Sequence, residues 1–197
     1  MLKRSPRNVA IVAELIFDGD ATVRKGAAEA LGNAALKGAD MAVAIPALVN
    51  ALGDGDVRKH AASALGCAAR QGGDISAAIP ALVNALGDEN DLVRNDAAWA
   101  LGNAANSGAG MTAAIPALVK LLGDGDMFVR INAGWALENA ANQGDRMRTL
   151  VVDETIGFMR SGWFQAEMER NSARYEAIAT DIARMLGHIR EAEKKAA

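Results

Sequence analysis

The sequence predicts an all-α fold: a right-handed α-solenoid of two-helix units, closed by a long C-terminal capping helix. Three observations predict it. One segment, IPALVNALGDGD at 45, is written again as IPALVNALGDEN at 79 and as IPALVKLLGDGD at 115. Each copy is followed by a second shared segment, VRKHAASALGCAA at 57, VRNDAAWALGNAA at 93 and VRINAGWALENAA at 129. Aromatic residues make up only 4% of the 197 residues, while alanine and glycine abound. That composition cannot fill a wide globular core, but it suits thin helices packed side against side.

A more diverged copy begins at Val9 as VAIVAELIFDGD and continues at 23 as VRKGAAEALGNAA. The residue after ALG or ALE falls at Asn33, Cys67, Asn103 and Asn139, in steps of 34, 36 and 36. The repeat region therefore covers 1–144, with units at about 9–44, 45–78, 79–114 and 115–144. The short step reflects two residues missing between Leu52 and Val57, in a turn, where length changes cost little. The first helix of each unit opens at Ile-Pro, because the missing N–H of proline has no partner in a first turn anyway. Leu48, Val49, Leu52 and their counterparts form its apolar stripe. The Asp-rich turn ends it and supplies caps for the second helix. Neither helix buries its stripe alone, so stacked neighbours must do it.

Turning about 100° per residue along the second helix gathers Val93, Ala97, Ala100, Leu101 and Ala104 into one arc, the core stripe. Asp96, Trp99, Asn103 and Asn106 fall on a different face, as do Asn132, Trp135, Asn139 and Asn142 one unit later. The core positions stay fixed between copies. This second face changes, reading Gly26, Glu29, Asn33, Leu36 and then His60, Ser63, Cys67, Arg70 in the earlier units. A scaffold with a separately tuned surface has this pattern. The ALG glycines, Gly32, Gly66 and Gly102, each cost about 1 kcal/mol against alanine in mid-helix; close approach by a neighbouring helix is the expected return. Glu138 takes that place in the fourth unit, beside Trp135.

Residues 9 to about 144 resemble HEAT and armadillo repeats, including the HEAT-like repeats of phycobilisome lyases. AIPALVKLLGDGD with VRINAGWALENAA is armadillo-like in style, whereas the aspartate turn followed by Val-Arg is HEAT-like. The resemblance implies that Arg24, Arg58, Arg94 and Arg130 brace consecutive units against the turn aspartates, and that the second helices line a concave side. The W-x-x-x-N spacing of Trp99 with Asn103 and Trp135 with Asn139 resembles the Trp–Asn ladder of importin-alpha and other armadillo proteins. There the asparagine amides bond a peptide backbone and the tryptophans wall pockets for its side chains. An asparagine amide offers both donor and acceptor. Indoles roughly 10 Å apart by ordinary helix spacing make slots for aliphatic stems or a cation, which Asp96 and Glu138 are placed to neutralise. The competing reading is that the tryptophans fill a gap between units and the asparagines brace neighbouring helices. The earlier units lack tryptophan, so any ladder has two rungs.

The tail, 145–197, reads as a variant fifth unit. RTLVVDETIGFMRSG resembles a first helix, and DIARMLGHIREA echoes the end of a second, with Leu186, Gly187 and His188 in the places of Leu101, Gly102 and Asn103. Leu137 and Leu186 are 49 apart, which leaves 13 extra residues and a long amphipathic helix over about 164–193. Phe164, Met168, Asn171, Tyr175, Ile178, Ile182, Met185 and Ile189 recur at alternating steps of 4 and 3, a heptad spacing. One reading is a cap over the open end of the core. The other is a homodimer seam in which Met168, Tyr175, Ile178, Ile182 and Met185 meet a second copy and Asn171 helps set register. Trp163 reads as a packing anchor.

The net charge of −3 and pI near 5.4 speak against nucleic-acid binding. No apolar run reaches membrane-spanning length, and no signal peptide is read in the basic start MLKRSPRN. The single cysteine fits a reducing, cytoplasmic setting. His60 and Cys67 lie two helical turns apart, about 10 Å, too far for a Cys–His pair. With His188 distant in sequence, no zinc site forms. No catalytic residue, cofactor or metal is expected. The expected function is a non-enzymatic adaptor that binds a peptide or helix of another protein. Its contact residues would be Asp96, Trp99, Asn103, Asn106, Asn132, Trp135, Glu138, Asn139 and Asn142. The alternatives are an accessory subunit of a phycobilisome-type chromophore lyase, which the resemblance implies, and a structural oligomer joined through the C-terminal helix.

Overall fold

Proline, aspartate and glycine set where the helices begin and end. The computed structural model describes residues 6–196; the basic start at 1–5, with the reading of it as no signal peptide, lies outside the described residues. The helices are α1 (Pro6–Glu14, continued by a 3-10 turn at Leu15–Phe17), α2 (Ala21–Leu36), α3 (Ile45–Ala51), α4 (Arg58–Arg70), α5 (Ile79–Ala85), α6 (Asp91–Asn106), α7 (Ile115–Leu121), α8 (Met127–Ala141), α9 (Asp145–Arg160), α10 (Gly162–Arg170) and α11 (Ser172–Ala196). No strand occurs among the described residues. Pro46, Pro80 and Pro116 stand in the first turns of α3, α5 and α7. Asp20, Asn90 and Asp126 cap α2, α6 and α8 by accepting from backbone N–H groups of the first turn. The two-residue deletion before Val57 removes this device from α4, whose start has no side-chain cap. Gly38, Gly72 and Gly108 follow α2, α4 and α6 at φ of 75°, 80° and 85°, the left-handed stop that only glycine takes at no steric cost.

The second helices α2, α4, α6 and α8 stack side by side and parallel, and α3, α5 and α7 form an outer row against them. On α6 the core stripe of Val93, Ala97, Ala100, Leu101 and Ala104 is buried, and so are Ala98 and Ala105, because helices flank α6 on both sides. Small side chains at these positions let the backbones approach closely. Polar bonds then tie the stack along its length. Arg24 Nε meets Asp54 at 2.7 Å, Arg58 Nε meets Asp88 at 3.1 Å and Arg94 Nε meets Asp124 at 2.8 Å, each reaching from one unit to the turn of the next. Arg94 adds a second bond from Nη2 to Asp124 Oδ1 at 2.9 Å, and its Nη1 donates to the Asp88 carbonyl of its own turn at 2.8 Å. At the far end of the helices, Ser107 Oγ donates to the Ala69 carbonyl at 3.1 Å, and Gln143 Nε2 to Ala105 at 2.8 Å. Those last-turn carbonyls have no partner within their own helix.

The tail closes the stack. Phe164, Tyr175, Ile178, Ile182, Met185 and Ile189 are buried within the chain, against α8 and α9. This corrects the seam reading: Tyr175, Ile178, Ile182 and Met185 face the chain's own core, and Met168 is half-buried. The stripe is spent on the cap and is not open to a second copy. The expected single helix over 164–193 is also corrected, because it breaks at Asn171 (φ −148°, ψ 68°). There the Asn171 side chain accepts from the Arg174 N–H at 3.4 Å, so Asn171 starts α11 instead of setting the register of a dimer. Edge-on contacts of Phe158 with Phe164 (5.2 Å) and of Phe164 with Tyr175 (5.5 Å) lock α9, α10 and α11 together. Beyond the break, α11 runs parallel to α8 where a fifth second helix would lie.

Arg94 and Asp124 are 17% and 9% exposed, the most enclosed pair of the ladder. Arg94→Ala is expected to destabilise the protein by about 3 kcal/mol, since it strands a largely buried carboxylate. A loss below about 1 kcal/mol in urea unfolding would reduce the ladder to ordinary surface pairs.

Candidate functional site

The face formed by the outward positions of α4, α6 and α8 is organised by two glycines. Gly66 of α4 lies under the indole of Trp99, and a methyl group placed on Gly66 would overlap Trp99 Cε3 and Cζ3. Gly102 of α6 lies in the same way under Trp135 Cε3 and Cζ3. Each tryptophan thus sits on a glycine seat in the preceding unit and stays half-buried. Gly32 has no indole above it; its nearest neighbour is the Ala64 backbone, 3.4 Å from where a methyl group on Gly32 would stand. The return on the ALG glycine is therefore a helix contact in one unit and an aromatic seat in the next two.

The asparagines divide into two groups. Asn103 is only 6% exposed, and its Nδ2 donates to the Trp99 carbonyl at 2.8 Å. Asn139 Nδ2 donates across units to the Gly102 carbonyl at 3.2 Å, and Asn132 Nδ2 to Asn95 Oδ1 at 2.8 Å. The Asn132 and Asn139 donors brace the stack, while the Asn103 bond stays within α6. Asn106 and Asn142, one turn further along, are exposed. Asp96 is half-buried and accepts from Asn95 Nδ2 at 3.3 Å. Burial pushes its carboxyl above the ordinary aspartate value, a rise that the Asn95 bond and the charges of Lys59 and His60 partly oppose. Burial likewise pushes the Cys67 thiol up, the opposite of what a nucleophile needs.

A fifth rung completes the face on α11. By register Arg184 takes the tryptophan place and His188 the asparagine place. Glu138 fills the glycine seat, and its Oε1 meets His188 Nδ1 at 3.0 Å. The sequence reading did not include this rung, although Leu186-Gly187-His188 was its signal. It also missed a groove of about 720 Å³ on the other side of the molecule, between α7 and α9, walled by Val119, Phe158 and Trp163 among others. That groove exists because α9, with 16 residues, outruns the 7 residues of α7. Trp163 does pack there, 5.8 Å from Phe158 and 6.2 Å from Tyr175, yet it remains 52% exposed. Among the described residues no group of three potential ligands gathers to hold a metal ion, and no helix is long and apolar enough to cross a membrane.

HEAT repeats, as a family, match residues 45–138. Those residues are thus similar to HEAT repeats, and the fold of the described residues is of the HEAT/armadillo type. No curated protein gives a match, but solved structures do. A designed armadillo repeat protein in complex with the peptide (KR)4 superposes with a TM-score of 0.68 at 23% identity, over 90% of this chain and 81% of that one. Computationally designed armadillo repeat proteins for modular peptide recognition give 0.65 at 24%, over 86% and 81%. An engineered protein gives 0.63 at 22%, over 94% and 97%. At these identities the likeness is one of fold.

Two outcomes test the site's construction. Gly66→Ala gains about 1 kcal/mol in helix propensity but must displace an indole, and overpacking of this kind costs about 1–3 kcal/mol. It is expected to lower stability and shift tryptophan emission to the red, while Gly32→Ala changes stability by less than about 1 kcal/mol; a stabilised Gly66→Ala protein would mean the seat is absent. Asp96 has a raised folded-state pKa, so the folded chain holds the proton longer than the unfolded chain, and stability falls as pH rises from the ordinary value of 3.8 through the raised one. Asp96→Asn is therefore expected to be more stable than wild type at pH 7 and no more stable below pH 3.8. Urea midpoints at the two pH values decide it, and a difference independent of pH would contradict the account.

Proposed function

We propose that this chain is a non-enzymatic protein-interaction scaffold, an adaptor that binds an extended, basic segment of a partner protein across the face of α4, α6 and α8. The observation that carries the reading is the pair of half-buried indoles, Trp99 and Trp135, each held on a glycine seat in matching register. An aromatic already fixed by its seat loses little side-chain entropy when a partner arrives. Asp96 supplies the charge. Its carboxyl is penalised by burial, so a lysine or arginine brought beside it offsets that penalty while its stem lies on the neighbouring indole. The exposed amides of Asn106 and Asn142 are the groups left to meet a peptide backbone, since Asn103 and Asn139 donate within the chain. The (KR)4 peptide of the armadillo neighbour is a ligand of the same chemistry on the same fold. The chromophore-lyase alternative gains no structural observation of its own.

Selection of random displayed peptides against the chain tests this. Enriched sequences are expected to be basic, to bind more weakly as salt rises, and to lose about tenfold or more in affinity for a Trp99→Ala/Trp135→Ala variant of native helicity. Failure to enrich any sequence, or enriched peptides that bind the variant equally well, would overturn the proposal.

A further inference from the structure

The four ladder arginines act as their own control. Arg24, Arg58 and Arg94 each direct Nε to a carboxylate, at 2.7, 3.1 and 2.8 Å. Arg130 repeats the bonds to its own turn, with Nη1 donating to the carbonyls of Asp124 at 2.9 Å and Gly125 at 3.2 Å. Its Nε, however, is buried with no hydrogen-bond partner. The cause lies in the fifth unit. There α11 runs back through what would be the turn, so Ala173 holds the register place of Asp88 and Asp124, and the next residue is Arg174. The carboxylate that three copies of the motif receive is missing from the fourth.

A cavity of about 250 Å³ opens beside Arg130, between α8 and α11. Its walls include Ile131, Gly134, Trp135, Ile182 and Met185. Two acids also line it, and both are engaged: Asp181 with Arg184 at 3.1 Å and Glu138 with His188 at 3.0 Å. Arg130 is the cation of this cavity without a carboxylate partner. The Nε–H is covered, so a ligand reaches it only when a neighbouring side chain gives way. Once reached, a guanidinium favours a planar carboxylate over a point anion, and the walls favour a hydrocarbon. The volume equals that of about eight water molecules at roughly 30 Å³ each, enough for one side-chain-sized group. Met185 is unbranched and can shift to admit it.

We propose that this cavity binds a carboxylate carried on a short apolar body, with the carboxylate on Arg130 Nε as Asp54, Asp88 and Asp124 sit on their arginines, and the apolar body against Gly134, Ile182 and Met185. A small aliphatic acid and the C-terminal residue of a peptide share this chemistry. The cavity shares Trp135 with the edge of the peptide-binding face, but the proposal stands on Arg130 and does not rest on that reading.

Nuclear magnetic resonance of the full chain, following the Arg130 Nε–H and Trp135 indole N–H signals, tests it. The probes are 4-methylpentanoate, its amide, and a hexapeptide ending in leucine as free acid and as amide. At least one acid is expected to shift both signals saturably, with the matching amide about tenfold weaker or more. Tighter binding of the peptide acid would identify a chain terminus as the source, and tighter binding of the small acid a free metabolite. Arg130→Gln is expected to abolish the response. Gly134→Leu fills the cavity from a helix wall, leaves Arg130 in place and is expected to abolish it too, which keeps the test decisive if Arg130→Gln folds poorly. Absence of saturable shifts, equal binding of acid and amide, or unchanged binding to either folded variant would overturn the proposal.

Discussion

Everything in this molecule depends on how closely successive second helices approach one another. The contact surface of α4, α6 and α8 is built from alanine and glycine, and residues such as Ala61, Ala97 and Ala133 have no measurable exposure. Alanine buries little area, so no single contact is strong. The strength comes from number and proximity, because dispersion attraction sums over many atom pairs at short range. The outer helices α3, α5 and α7 are seven residues each, too short to hold together alone in water. They exist because the stack gives their apolar stripes a surface to cover.

Close approach also determines what the surface can carry. A flat indole fits between units only where the helix beneath has no side chain, so each tryptophan requires a glycine one unit earlier. Where Glu138 replaces that glycine, the next rung carries Arg184 and His188, and the contact becomes a polar one between Glu138 Oε1 and His188 Nδ1 at 3.0 Å. The same logic separates the arginine ladder from its last member. The ladder needs a turn in the following unit, and the cap helix has no such turn. Each ladder arginine of the first three units therefore meets a turn carboxylate, and the irregular end leaves Arg130 Nε unmatched.

Much of this was legible in the sequence. The Ile-Pro starts, the aspartate turns and the core stripe recur three times or more, and each has a local physical cause that spacing reveals. The break at Asn171 was not legible, because two helices that bury their stripes against one core keep a continuous 4-3 spacing across the break between them. Nor does spacing distinguish an asparagine that caps a helix from one that sets register in a seam. The pairing of Gly66 with Trp99 was hidden for a different reason. The two residues lie in different units, and their meeting depends on the offset between neighbouring helices, which no single unit encodes. On the candidate face, helical geometry grouped the right positions. Whether an asparagine amide turns outward or, like Asn139, inward to a carbonyl 3.2 Å away is decided by packing at a scale that spacing does not reach.

The most direct test of the account is a double-mutant cycle on Gly102 and Trp135. If the indole rests on the glycine, Gly102→Ala destabilises the wild-type background but is neutral or stabilising when Trp135 is already alanine, where helix propensity alone favours it by about 1 kcal/mol. The expected coupling energy is about 2 kcal/mol. Additivity of the two substitutions within about 0.5 kcal/mol would contradict the account, because it would mean that the tryptophans and the glycines beneath them do not act as one unit.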